Sequence, residues 1–164
     1  MAVDMFLKLD KVKGESQDKV HKGEIDVLAW SWGLSQSGTT HMGSGGGGGK
    51  ANFQDLSITK YVDKASVTLI NFATTGQHID KAELIVRKAG GKPLEYIIIK
   101  LRNVLVTSVS TGGSGGEDLL TENITLNFAE FKVTYVPQGD DGKGDAAISF
   151  DYDIPAGSTT TKIK

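Results

Sequence analysis

No cysteine occurs anywhere in the chain. Disulfides, thiolate nucleophiles and zinc–cysteine sites are thereby excluded, and the fold is indifferent to the redox state of its surroundings. Cationic blocks are missing too: Lys and Arg number 18 against 20 Asp and Glu, for a formal charge of -2, and they are scattered along the sequence. Phosphate backbones are held by clustered cations, so nucleic acid is not an expected partner. Long apolar runs are also lacking. No stretch approaches the roughly 20 residues of a membrane-spanning helix, and membrane insertion is not expected. The N-terminal MAVDMFLKLDKVKG alternates Val3, Met5, Leu7 and Leu9 with Asp4 and Lys8, without the charged start and unbroken apolar run of a signal peptide. The expectation is a cytoplasmic protein, or one that leaves the cell by a route needing no such signal. The only histidines, His21, His41 and His78, are too dispersed to form a metal-ligand motif.

Glycine, by contrast, is plentiful at 21 residues, and it generates matches to several functional motifs. Gly43, Gly45 and Gly48 satisfy G-x-G-x-x-G, but a dinucleotide site needs a helix next, and the pattern that follows is a strand. Gly49-Lys50 resembles the end of a phosphate loop, with Ser44 where its first glycine belongs and Ala51 where its Ser or Thr belongs. Gly112 to Gly116 spells G-x-S-x-G, yet no histidine follows Ser114 to complete a triad in that motif's order. Asp140, Asp141 and Asp145 lack the alternate spacing of a calcium loop. No catalytic, metal-binding or cofactor-binding set emerges, and the protein is not expected to be an enzyme.

What remains is strand after strand. Ile25 to Gly38, IDVLAWSWGLSQSG, places Leu28, Trp30, Trp32 and Leu34 on one face and Ala29, Ser31, Gly33, Ser35 and Ser37 on the other. Each indole buries about 150 to 250 Å², so the tryptophan face is expected to be core. The opposite face is small and carries no charge, which suits close contact with another chain or a lumen that must not grip its contents. Ala51 and Phe53 share one parity and Leu56 and Ile58 the other, so a bulge is expected near Gln54 and Asp55. Val62, Ala65, Leu69, Phe72 and Ala73 follow helical spacing, with Asp63 placed to cap the start and Gly76 the end. The run from Leu94 is apolar on both parities around Tyr96 to Leu101, which predicts a cover on each face, the helix on one and a neighbouring subunit on the other. A second bulge is expected near Ala129 and Glu130, and Ile148, Phe150, Tyr152 and Ile154 are expected to point inward. About seven strands with bulges and one short helix make a barrel or a sandwich in a single domain spanning residues 1–164.

Five stretches together resemble the haemolysin-coregulated protein family, the inner-tube proteins of bacterial type VI secretion systems. They are MAVDMFLKL, the DVLAWSWGLSQSG strand, the HMG glycine loop, QDLSITKYVDK and VSTGGSGGEDLLTENITLNFAEFKVTY. The resemblance implies a mainly β fold, a two-sheet β-barrel with one flanking α-helix, whose homohexameric rings stack into a tube. It also implies effector proteins in the lumen, a spike protein and a contractile sheath as partners, and secretion of the tube with its cargo. Combined with strand parity, it assigns Ser31, flanked by Ala29 and Gly33, to the lumen and effector contact. The loop after the tryptophan strand, with His41, Met42, Gly43, Ser44, Gly45, Gly46 and Lys50, is assigned to contacts between stacked rings. Ordering Gly43 to Gly49 costs on the order of 10 kcal/mol, which is of no use to a free subunit. Tyr96 and Ile98 are assigned to the subunit interface. The competing reading of the same features is a monomeric β-barrel carrier of small apolar ligands.

Overall fold

A computed structural model describes residues 2–43, 47–160 and 162–164; Ser44, Gly45, Gly46 and the side chain of Met42 lie outside the described residues. Apolar–polar alternation yields β1 (Val3–Leu9), β2 (Ile25–Ser31), β3 (Leu34–Gln36), β4 (Ala51–Phe53), β5 (Leu56–Tyr61), β6 (Ile79–Lys88), β7 (Leu94–Thr111), β8 (Thr121–Tyr135) and β9 (Ile148–Asp153). One helix, α1 (Ala65–Thr75), stands between β5 and β6. The large sheet runs β5-β2-β1-β6-β7-β8, and β5 pairs again with β8, so six antiparallel strands close into a barrel. Closure leaves no open edge among those six. β8 is long enough to serve twice: Thr121 to Leu126 pair with β5, and Glu130 to Tyr135 pair with β9. β3 and β4 form a separate two-stranded sheet whose connection is the first glycine loop.

Side chains fill the barrel interior, with Leu7, Leu56, Ile58, Leu84, Leu101, Ile124 and Leu126 all sealed from solvent. Ala65, Leu69 and Phe72 of α1 join the same core, and α1 packs against β7. At about 1.5 to 3 kcal/mol per large apolar side chain buried, Leu69 and Phe72 hold a helix too short to persist alone. Its first turn is closed by Asp63, whose Oδ1 accepts from the Ala65 amide at 2.9 Å. Its end is Gly76 in the left-handed conformation, φ 67°.

The structure departs from the alternation pattern at four places. The tryptophan strand is two strands, and the register between β2 and β5 shifts between Val27 and Ala29. That shift turns Leu28 outward while Ile25 and Val27 are buried; Leu34, beyond the break at Trp32 and Gly33, is exposed as well. Trp30 and Trp32 keep the expected side, packed against the core. At Gln54 and Asp55, where a bulge within one strand was expected, the strand ends instead: β4 belongs to the small sheet and β5 to the barrel. The bulge expected near Ala129 does not exist as one. β6, β7 and β8 stay in register from Ile79–Val104–Phe128 to Ala82–Leu101–Phe131, and all six residues are buried although each pair on a strand is three apart. All three strands change side together, around Asn103 at φ 52°, so the sheet bends as a unit. The register shift between β7 and β8 lies at Val106/Ser108 instead.

The fourth departure is β9. Tyr152 and Ile154 pack on the core, but Ile148 is 66% and Phe150 53% exposed. Their parity is inward as expected; β9 extends past the barrel, and the Phe131 and Tyr152 rings, 6.0 and 6.2 Å from that of Phe150, leave it half uncovered.

Candidate assembly surfaces

The small face of β2 is one strand of a wider wall. Ala29 pairs with Thr59, Thr59 with Asn123 and Asn123 with Ser110; the next row is Ser31, Ser57, Thr125 and Ser108. Eight side chains over four strands thus carry hydroxyls, one amide and one methyl, and no charge. They bond to each other: Thr59 Oγ1 donates to Asn123 Oδ1 at 2.7 Å, and the Ser108 and Thr125 hydroxyls meet at 2.6 Å. Ser31 and Ala29 are exposed on this wall, and Gly33 follows half-exposed in the break between β2 and β3. The wall was only partly legible in sequence, because its rows are assembled from residues up to 81 positions apart by register (Ala29 to Ser110).

At the glycine loop, Thr40–Met42 makes one 3₁₀ turn, His41 is exposed, and Gly43 takes φ 84°. The loop is tied at its base: the Thr39 amide donates to Gly47 O at 3.3 Å, and Gly49 lies so close to Ser37 that a β-carbon there would stand 2.1 Å from its hydroxyl. Lys50 is exposed at the mouth of a cleft of about 440 Å³ shared with Asn52, His78 and Asn127. The loop assignments to Ser44, Gly45 and Gly46 fall outside the described residues.

Tyr96 and Ile98 are half-buried on the outer face of β7. Part of the cover on this face comes from the chain itself, which the alternation pattern did not indicate. The long loop between β1 and β2 folds back so that His21, 4% exposed, stacks on Phe6 at 4.4 Å and places its Nε2 2.8 Å from Glu95 Oε1 and its Nδ1 2.9 Å from Glu24 Oε2. Arg87 fastens the same loop with a forked pair to Asp18, at 2.6 and 3.2 Å, and a contact to Asp4 at 3.1 Å. The Arg87 hydrogen bonds hold the Asp18 carboxyl well below the usual carboxylate range, against the opposing pull of desolvation and with help from the Val20 and His21 amides. Asp18 in turn raises the Arg87 guanidinium above its ordinary value.

A buried polar group lies at the end of the barrel where α1 starts. Lys60 is 0% and Glu122 1% exposed, directly opposite each other on β5 and β8. Lys60 Nζ donates to Glu122 Oε1, to Tyr61 O at 2.9 Å and to Ser66 Oγ at 3.3 Å, and sits 2.9 Å from Asp63 Oδ1. Ser66 Oγ donates to Glu122 Oε1 at 2.5 Å, and among the described residues Glu122 Oε2 has no partner. Both residues were readable as interior: Lys60 continues the parity of Leu56 and Ile58, and Glu122 that of Ile124 and Leu126. The pair has no access to solvent, so it braces the fold and offers no substrate a site.

Comparison with known proteins agrees with this geometry. The family model described as "Type VI secretion system effector, Hcp" matches residues 6–135. Protein hcp1 of Pseudomonas aeruginosa is 63% identical over 156 residues, covering 94% of this chain and 96% of that protein. Among solved structures, one described as a type six secretion system protein superposes with a TM-score of 0.91 at 35% identity, over 97% of this chain and 100% of the other. Hcp1 from Salmonella typhimurium gives 0.80 at 35% identity, over 98% and 100%. A barrel closed by β5 and β8, an aromatic strand and these likenesses lead to one conclusion: the chain belongs to the Hcp family, the tube proteins of the type VI secretion system.

Proposed function

We propose that six copies of this chain close into a ring, that rings stack into a tube, and that the tube carries effector proteins in its lumen and is secreted with them. The uncharged wall of β2, β5, β8 and β7 carries this reading, since a conduit for folded cargo gains from short hydroxyls that bond weakly and hold no fixed charge. Ser31, Ala29 and Gly33 line that lumen, with Ser31 contacting cargo. The second support is Tyr135, Ile148 and Phe150, exposed side by side on the inward face of β8 and β9 past the barrel. Contiguous exposed apolar surface marks an interaction site, and a heterologous contact that closes by rotation makes a ring. The subunit interface comprises this strip together with Tyr96 and Ile98. His41, Met42, Gly43, Ser44, Gly45, Gly46 and Lys50 bridge stacked rings, and a spike protein and a contractile sheath complete the machine. The monomeric carrier is disfavoured because the barrel interior is filled by the chain's own side chains.

Sedimentation of the purified protein at micromolar concentration tests the ring, and electron microscopy the tube. A ring of about six times 17.5 kDa is expected. Ile148→Ser with Phe150→Ser should leave a folded monomer only, and shortening Gly45 to Gly48 to two residues should leave rings without tubes. Monomer alone from the unaltered chain refutes the reading.

A further inference from the structure

Although its cations are scattered in sequence, register gathers several of them on one face. On the outer face of β6, β7 and β8, Lys81 stands directly opposite Arg102, and Lys100 directly opposite Lys132. Three of the four also meet a carboxylate on their other neighbouring strand, Glu83 opposite Lys100, Glu130 opposite Arg102 and Asp151 opposite Lys132, so the face carries both signs. With Lys8 and Lys164, three of these four rim a cleft of about 320 Å³. Among the described residues no carboxylate comes within 4.0 Å of any of the four. Among the described residues Lys100 and Lys132 donate to the main-chain oxygens of Lys164 and Ile163, at 2.7 and 3.2 Å, and Arg102 Nη1 to Leu101 O at 3.2 Å. An arginine has five N–H donors, so most of its fork is open.

We propose that this cleft, centred on Lys100 and Arg102, is a docking site for a short acidic segment of another protein. Charge complementarity selects the occupant's sign, and the surroundings select its class. Asp10 and Glu83 sit in the cleft itself, and Glu130, Asp151 and Asp153 flank it on β8 and β9. A continuous polyanion such as nucleic acid would run onto those carboxylates; one or two carboxylates on a peptide would not. The partner is a different protein and not a second copy, because the apolar surface suited to copy-to-copy contact lies elsewhere, at Tyr135, Ile148 and Phe150. Lys100 and Arg102 stand on β7, which also carries Ser108 and Ser110 of the uncharged wall, but on the other side of the bend at Asn103. The docking chemistry does not rest on the ring reading.

A fluorescein-labelled hexaglutamate peptide, followed by fluorescence polarisation at low and at 0.5 M salt, tests the site. Binding that weakens with salt and falls at least tenfold in Lys100→Gln with Arg102→Gln, but not in Lys92→Gln on the β6–β7 turn, is the expected result. The double variant removes the cross-strand neighbours of Glu83 and Glu130 as well as those of Lys132 and Lys81, so its thermal melt is recorded beside the binding curve, and binding lost at a temperature where the variant is folded is not lost folding. Equal peptide binding by variant and unaltered chain overturns the proposal, as does tighter binding of a single-stranded oligonucleotide. Loss of rings in the double variant also overturns it, making the cleft a copy-to-copy contact. Peptide binding by a chain that sediments only as monomer upholds the site and refutes the ring alone.

Discussion

Replacing Lys60 with Met leaves Glu122 as an uncompensated charge in a place sealed from water, with Oε1 held only by Ser66 and Oε2 already without a partner. Breaking a buried pair from one side costs about 3 to 5 kcal/mol, because the surviving ion keeps its desolvation penalty and loses its attraction. Glu122→Leu should cost less, since Lys60 loses its most buried partner but retains Asp63 Oδ1 at 2.9 Å and the Tyr61 carbonyl. Against a total stability of about 5 to 15 kcal/mol, either single change removes a large share. The double variant Lys60→Met/Glu122→Leu removes both ions and leaves two apolar side chains facing each other between β5 and β8. Ser66 then loses its acceptor but still takes the Asp63 amide at 3.0 Å, so the double cost should be about 1 to 2 kcal/mol. The cycle therefore predicts a coupling energy of several kcal/mol. Urea unfolding at one fixed protomer concentration measures it, because assembly makes stability depend on concentration. Additive single effects, or singles that cost under about 1 kcal/mol, would refute the claim that this pair braces the barrel closure.

The Asp18–Arg87 fork predicts acid sensitivity of a definite sign. Folding lowers the Asp18 pKa, so its contribution is full above the ordinary carboxylate value of about 4 and disappears as pH falls through and below it. Melting temperature should drop more steeply from pH 5 to pH 2.5 in the unaltered chain than in Asp18→Asn; parallel curves would contradict the assignment. Gly14→Ala sets a β-carbon 2.3 Å from the Glu24 carbonyl oxygen, backbone against backbone. Overpacking of this kind costs about 1 to 3 kcal/mol, or a melting point lower by roughly 2 to 4 °C per kcal/mol for a chain of this size; an unchanged melting point means that the loop between β1 and β2 is not held as described. Ser31→Gln should leave rings intact by sedimentation and weaken effector capture, whereas a variant that fails to fold would place that side chain in the core.

Period-two alternation fixed most strands, and the spacing of Ala65, Leu69 and Phe72 fixed the one helix, because each element's parity is a local property of the chain. The absence of cysteine could likewise be read directly. Parity says which residues share a face; what covers that face depends on residues far away. Leu28 turned outward because of a register shift against β5, a strand nearly thirty residues on. Ile148 and Phe150 kept their predicted side and lost their cover because β9 outruns the barrel. The bend at Asn103 took a form visible only when three strands are aligned, since each alone reads as a bulge. Lys60 and Glu122 stood at core parity in plain view, but a charge is stable there only when its counter-ion is brought opposite, and that is decided by the closure of β5 on β8. The same closure completed the uncharged wall, and the pairing of β6, β7 and β8 set Lys81 beside Arg102 and Lys100 beside Lys132. Sequence determined the faces of each strand; register, a long-range property, decided which faces met, which stayed open, and what chemistry each surface presents.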